Sequence, residues 1–300
     1  MTSRLDDELD RIADVVAARI RAQIGSGIAT AHNNDCTSDV QCSADGSCTS
    51  CGHCVSKRPE DVRAMVDSGA ARVSASAGTT QVASDLAGMI DHTLLKPEAS
   101  SDEVVGLCAE ASELGVAAVC VSPTRVALVA ELTSTHGGWV PCAVVGFPSG
   151  AHLPSVKEAE ARRAVADGAA ELDVVVNLGA VVDGAWGMVG EELSLVRRAI
   201  PAGTLKVILE TAALDPRQVE AVARVALDAG ADFLKTSTGV HPAGGATVEA
   251  VEMLVAIAAG RAKVKASGGI RDLDTALDMI AAGADRLGTS ASAAILAGLD

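Results

Sequence analysis

At 300 residues with a formal net charge of −15, 49% hydrophobic content and 1% aromatic, the chain can fill one full α/β barrel with an appendage, or two ordinary domains. Its aromatic side chains are Trp139, Trp186, Phe147 and Phe233, with no Tyr. That leaves little surface for stacking bases, and no basic patch faces a phosphate backbone or an anionic membrane, so nucleic acid and membrane partners are excluded. No apolar run approaches the length of a membrane span. Asp6, Asp7, Glu8 and Asp10 break the layout of a secretory signal, so a cytoplasmic location with reduced thiols is expected.

Residues 1–24 form the first region. Leu5, Leu9, Ile12, Val16 and Ile20 recur at helical spacing with Arg and Asp on the other face, and Gly25 and Gly27 stop the pattern. The spacing predicts a short amphipathic helix. Its apolar face docks on its own barrel, on a second subunit, or in another protein's groove. In length, charge pattern and following linker it resembles the terminal helices that deliver enzymes into bacterial microcompartments. That resemblance implies a shell-protein partner and a location inside such a compartment.

Residues 25–84 read as a loosely structured linker rich in Ser, Gly, Ala, Thr and Asp, containing CTSDVQCSADGSCTSCGHCVSKRP. Five of the chain's eight cysteines, Cys36, Cys42, Cys48, Cys51 and Cys54, fall here. A C-x-x-C turn folds two thiolates toward one point, so Cys48, Cys51 and Cys54 with Cys36 or Cys42 predict a metal site. The spacing resembles the start of a bacterial ferredoxin run, and a four-cysteine zinc site uses similar parts. Both an iron–sulfur cluster and zinc stay open, as does a disordered tether with free thiols. Residues 60–75 read as one more helix leading into the next region.

From residue 85 to 300 short β-branched runs alternate with Ala- and Leu-rich helical stretches. Eight strands are predicted, at 88–93, 117–122, 141–147, 171–177, 205–211, 231–237, 263–268 and 285–290. Repeated junctions at Gly115, Gly168, Gly230 and Gly283 read as helices ending in left-handed glycine before a buried parallel strand. Eight βα units in about 215 residues point to a closed (β/α)₈ TIM barrel rather than an open sheet.

Barrel active sites sit at the C-terminal ends of the strands. Charged residues in otherwise apolar strands are therefore the candidates. Lys235, in ADFLKTSTG, would cost several kcal/mol to bury as an unpaired ammonium. Desolvation favours the neutral amine, the form that attacks a carbonyl, and Lys265 at matching height on the next strand favours it further. Asp173 in ELDVVVN is the proton-shuttling carboxylate. Glu171, lower on the same strand, reads as structural. Asp91, at the end of strand one, reads as a cap or a lysine-orienting relay. Gly268 and Gly269 after strand seven, and Gly288-Thr289-Ser290 opening the last helix, read as an anion cradle.

In order along the chain, IDHTLLKP, AVCVSP, VVGFPSG, ELDVVVNLGA, LKVILET, ADFLKTSTG, KASGGIRD and RLGTSA resemble the deoxyribose-phosphate aldolases across about residues 85–298. The resemblance implies reversible cleavage of 2-deoxy-D-ribose 5-phosphate to D-glyceraldehyde 3-phosphate and acetaldehyde, without a cofactor, in a homo-oligomer such as a dimer. It makes Lys235 the Schiff-base lysine, Lys265 its tuning neighbour, Asp173 the acid–base carboxylate and Asp91 a supporting relay. Cys120, Thr236, Thr238 and Gly239 become pocket residues alongside the cradle. Val240 stands where some members carry Lys, Ala291 replaces a serine of the phosphate motif, and a C-terminal Tyr used by some members is missing. These departures bear on phosphate affinity and substrate preference rather than on the aldol step.

Overall fold

The computed structural model describes residues 86–299. The expected amphipathic helix (1–24) and the cysteine segment (25–84) lie outside the described residues. Eight parallel strands close into a barrel in sequence order: β1 (Ile90–Leu94), β2 (Ala118–Val121), β3 (Val140–Val145), β4 (Glu171–Val175), β5 (Thr204–Ile208), β6 (Phe233–Lys235), β7 (Lys263–Ser267) and β8 (Arg286–Thr289). Ile90 pairs with Leu287 to complete the ring. Three strands (β2, β4, β6) are buried along their whole length, and β3, β5 and β8 are buried at all but the first residue, because helices cover the outer face and side chains fill the inner one.

The helices are α1 (Ser101–Leu114), α2 (Val126–His136), α3 (Pro154–Ala166), α4 (Leu178–Val182), α5 (Trp186–Ala199), α6 (Pro216–Asp228), α7 (Val248–Ala258), α8 (Leu273–Ala281) and α9 (Ser292–Ala297). Their starts are written locally. Ser100 and Glu103 form a capping box at α1, and Asp215 with Gln218 forms another at α6, where Pro216 fills the first turn. On α6 the buried Val219, Val222, Ala223, Ala226 and Leu227 recur at helical spacing. Each fully buried Val or Leu contributes about 1.5–3 kcal/mol. At the predicted junction Gly168, φ is 106° and an added Cβ would stand 2.5 Å from Ala130 Cβ, so both backbone and space require glycine there. No helix among the described residues is long and apolar enough to cross a membrane.

Strand edges differ from expectation where the inward-pointing residues end. β1 begins at Ile90, two residues later than predicted, so Asp91 is the second residue of its strand and not the last. β6 is three residues long and Lys235 closes it. Gly288 and Thr289 belong to β8 itself and do not follow it.

Candidate active site

Alternation along the strands sends every second side chain into the barrel, and there the charged residues meet. Lys235 and Lys265 are register partners on β6 and β7. Both ammonium nitrogens lie 2.7 Å from Asp173 Oδ2 on β4. Asp173 Oδ1 accepts from Lys206 Nζ of β5 at 2.8 Å. Lys206 also lies 2.5 Å from Glu171 Oε2 and 3.3 Å from Asp91 Oδ2. Asp91 accepts in turn from Lys265 and, at 2.6 Å, from Arg286 Nη1 of β8. Arg286 closes the ring 3.7 Å from Glu171. Lys206, Lys265, Asp91 and Asp173 are completely buried, and Lys235 is 2% exposed.

Burial by itself would neutralise these groups; the opposite charges win. Burial pushes the Asp173 carboxyl up, but Lys206, Lys235 and Lys265 hold it well below the usual carboxylate range. Asp91 behaves alike, with Lys206, Lys265 and Arg286 outweighing its burial. Lys206 and Lys265 are held above the usual lysine range by Asp173 and Asp91, against the pull of desolvation. The expectation of a charged Lys265 beside Lys235 thus has a cause: two buried carboxylates keep it protonated. Formally, Lys206, Lys265 and Arg286 balance Asp91, Asp173 and Glu171 charge for charge, and Lys235 is the surplus cation.

Two cysteines complete the inner wall. Cys142 donates to Asp173 Oδ1 at 3.3 Å and accepts from Lys206 at 3.3 Å. Its register partner Cys120 packs with it, Ala118 and Val144 beneath Phe147 and Leu95. Burial pushes the Cys142 thiol up, while its hydrogen bond draws Cys120 down. Among the described residues, the groupings able to hold a cation are Cys120–Cys142–Asp173 and Asp91–Cys142–Glu171. The ammonium of Lys206 already lies against Asp173, Asp91, Cys142 and Glu171, supplying the positive charge an ion would bring.

The residues of the expected anion cradle fall into two groups. Gly268 and Gly269 follow β7 with φ of 91° and 84°. A Cβ on Gly268 would stand 2.8 Å from Gly239 Cα and 3.1 Å from Gly245 Cα, so three glycines converge and the loops after β6 and β7 touch backbone to backbone. Gly288, in contrast, makes room for a side chain: its Cβ would meet Lys265 Cε at 3.0 Å and Ser267 Oγ at 2.8 Å. Thr289 Oγ1 donates to Ile270 O at 2.7 Å and accepts from Ala291 N at 2.9 Å, which ties its hydroxyl into the fold. Thr236 is likewise engaged with Ser267, whose N donates to its Oγ1 at 3.1 Å. Thr238 Oγ1 accepts from Val240 N at 3.3 Å. Gly239, Gly269 and Ser290 are exposed at this edge.

The DeoC/LacD family aldolase model matches residues 86–298, the whole barrel. The chain belongs to that family. It is 51% identical over 220 residues to the deoxyribose-phosphate aldolase of Frankia alni, covering 71% of this chain and 97% of the relative. It is 55% identical over 214 residues to that of Corynebacterium diphtheriae, covering 71% and 95%. Among solved structures, the aldolase QR15 shares 45% identity with a TM-score of 0.68, over 71% of this chain and 95% of that one. The tetrameric deoxyribose phosphate aldolase of Aeropyrum pernix shares 36% with a TM-score of 0.66, over 71% and 90%.

Within this DeoC/LacD aldolase, sequence reasoning missed four residues of the interior. Lys206, Arg286 and Cys142 lie early in their strands, below the level where catalytic groups were sought. The signal that marked Lys235, a charge inside a β-branched run, was equally present in LKVIL. The fourth is Glu210, buried at the end of β5 with its carboxylate on the Thr238 amide.

Proposed function

We propose that the protein is a class I aldolase that cleaves 2-deoxy-D-ribose 5-phosphate to D-glyceraldehyde 3-phosphate and acetaldehyde, with Lys235 as the nucleophile. The observation that carries the assignment to Lys235 is the charge balance around Asp173: Lys235 can give up its proton without leaving a buried carboxylate uncompensated. The neutral amine attacks C1 of the open-chain sugar, forming the C–N bond of a carbinolamine. Loss of water, with a proton supplied through Asp173, leaves the iminium. Removal of the C3 hydroxyl proton breaks the C2–C3 bond and releases D-glyceraldehyde 3-phosphate. The electron pair moves onto the iminium to give an enamine. Protonation at C2 and hydrolysis then release acetaldehyde and restore the amine. This chemistry runs on the lysine and needs no metal.

Asp173 is 2.7 Å from the nucleophile and is the proton carrier in this reading. Lys265 keeps positive charge beside Lys235, and Asp91 holds Lys265. Cys120 packs beneath the pocket. Thr236, Thr238, Gly239, Gly268, Gly269 and Ser290 form the rim that receives the phosphate end; Gly288 and Thr289 shape it from within the strand. Borohydride trapping with acetaldehyde, followed by peptide mapping, tests the nucleophile. An ethyl adduct on Lys235 is expected, and its appearance elsewhere, or its persistence in Lys235→Ala, overturns the assignment.

For the N-terminal third we propose two further roles, supported by sequence alone. Cys48, Cys51 and Cys54 with Cys36 or Cys42 bind an iron–sulfur cluster or zinc. Anaerobic purification with visible absorbance and metal analysis decides which, and a metal-free chain with five free thiols refutes both. Residues 1–24 dock to a partner, either another copy of this chain or a microcompartment shell protein, in a cytoplasmic enzyme that assembles as a homo-oligomer such as a dimer. A fusion of residues 1–24 to a fluorescent protein that stays diffuse in compartment-forming cells counts against the shell partner.

A further inference from the structure

Glu210, the second residue beyond β5, combines features that no packing need explains. Its backbone is left-handed, at φ 58° and ψ 55°. Among the described residues only Ala259 is another non-glycine with positive φ, and that one caps the end of α7. A side chain resists this conformation because its Cβ crowds the following carbonyl. The Glu210 side chain is also fully buried, a costly place for a carboxylate. Both its oxygens accept from one group, the Thr238 amide, at 3.3 and 3.2 Å. Beside it, Thr211 Oγ1 and Ser237 Oγ are buried without a hydrogen-bond partner.

Strain and unpaired polar groups persist where surrounding structure imposes them, and they gather at functional sites. Here they sit where the chain leaves Lys235. Leu209 N donates to Lys235 O and Thr211 N to Thr236 O, both at 2.9 Å, so Glu210 is clamped between two rungs beside the nucleophile. Thr238 opens the loop from β6 to α7. The far end of that loop is fixed by Ala246 N on Gly268 O at 3.0 Å and by Gly245, whose Cβ would meet the same oxygen at 2.3 Å. The near end has Glu210.

We propose that Glu210 is a positioning residue for the substrate loop after Lys235: its left-handed backbone aims a buried carboxylate at the Thr238 amide and so fixes Thr238 and Gly239 for the sugar phosphate. The inference rests on the aldolase reading, and the test separates the two. In the full chain, Glu210→Gly relieves the backbone strain while deleting the acceptor, and Glu210→Gln keeps an acceptor of the same reach. Glu210→Asn tolerates the left-handed backbone but is one methylene too short, and it stands in should the glycine variant not fold.

The glycine variant, or the asparagine one in its place, is expected to raise KM for 2-deoxy-D-ribose 5-phosphate about 10-fold or more, with kcat changed less than about 3-fold, the cost of a misplaced binding group. Its melting temperature should match or exceed that of the wild type. The glutamine variant should keep KM within about 3-fold. Acetaldehyde trapping on Lys235 should proceed equally in all. Unchanged KM in the glycine and asparagine variants overturns the inference, as does parallel loss of kcat, KM and melting temperature, which marks a residue that only holds the fold. Failure of the wild type to trap acetaldehyde on Lys235 instead overturns the aldolase assignment itself.

Discussion

Lys235 and Lys265 share a single carboxylate oxygen, each placing its Nζ 2.7 Å from Asp173 Oδ2. Two ammonium groups on one acceptor repel each other, and Lys265 is the one with a second carboxylate, Asp91, to keep it charged. Lys265→Leu removes that repulsion and leaves Asp173 Oδ2 to Lys235, with Lys206 still on Oδ1. The acidic limb of the kcat/KM profile should then move to higher pH, and the rate at neutral pH should fall about 10²–10⁴-fold. A pH–rate profile of unchanged shape would show that Lys265 does not tune the nucleophile.

Lys206 is the cation on which the cluster's stability depends most. It contacts Asp173, Glu171 and Asp91, and its side chain is completely buried. Lys206→Met fits the volume but leaves those carboxylates short of one positive charge. Urea denaturation should show a loss of about 3–5 kcal/mol, the usual cost of removing one member of a buried pair. A loss below about 1 kcal/mol would mean that water or Arg286 takes over, and that the cluster is looser than its distances indicate.

The barrel and the burial of Lys235 inside it were legible in the sequence because both rest on local signals. Gly115, Gly168, Gly230 and Gly283 punctuate the repeat, and Lys235 interrupts an apolar run. The rest depended on depth. A strand start shifted by two residues moved Asp91 from the rim to the interior, and nothing in IDHTLL fixes that shift, because turn and strand both suit Gly88-Met89. A lysine early in a strand also reads as a solvated end, so the local pattern leaves the depth of Lys206 open. Its burial follows from closure, which brings Glu171, Asp173 and Asp91 around it from β4 and β1. Thr289 and Gly288 read as ligands because their motif matched. Their contacts with Ile270 and Lys265, about twenty residues away in sequence, come from closure and are not legible in the motif.

Stability should fall in acid in two stages. Burial holds the His92 imidazole below its ordinary value, in spite of Glu110. The unfolded chain therefore takes up that proton first, and stability declines as pH drops below about 6.5. Asp91 and Asp173 are also held low, by their lysines. Their contribution is complete above the unfolded value and is lost below about pH 4, more steeply because two groups act together. In base the sign reverses: Lys206 and Lys265 are held high, so their contribution is whole below about pH 10.4 and is lost above it. Melting temperatures across pH 3–11 check this, and His92→Gln should remove the first stage alone.

Outside the barrel, Lys157 of α3 and Glu192 of α5 form a second buried pair, 2.8 Å apart and both fully enclosed. Here burial prevails over attraction: Lys157 is pushed down and Glu192 up, each toward its neutral form. A pair of this kind adds little net stability, because desolvation offsets the Coulomb gain. What it supplies is two backbone contacts at the end of β4, Lys157 Nζ on Val175 O and Asn177 N on Glu192 Oε1, both at 2.8 Å. Lys157→Met alone should cost about 3–5 kcal/mol by stranding a buried carboxylate, whereas Lys157→Met with Glu192→Leu should recover most of that loss. The recovery should extend to stability and not to activity, since Val175, two residues beyond Asp173, loses its anchor in both variants and Asn177 loses its own in the double one. A double variant as active as the wild type would show that the β4 end holds its shape without the pair. One as unstable as the single variant would show that the ion pair itself stabilises the fold.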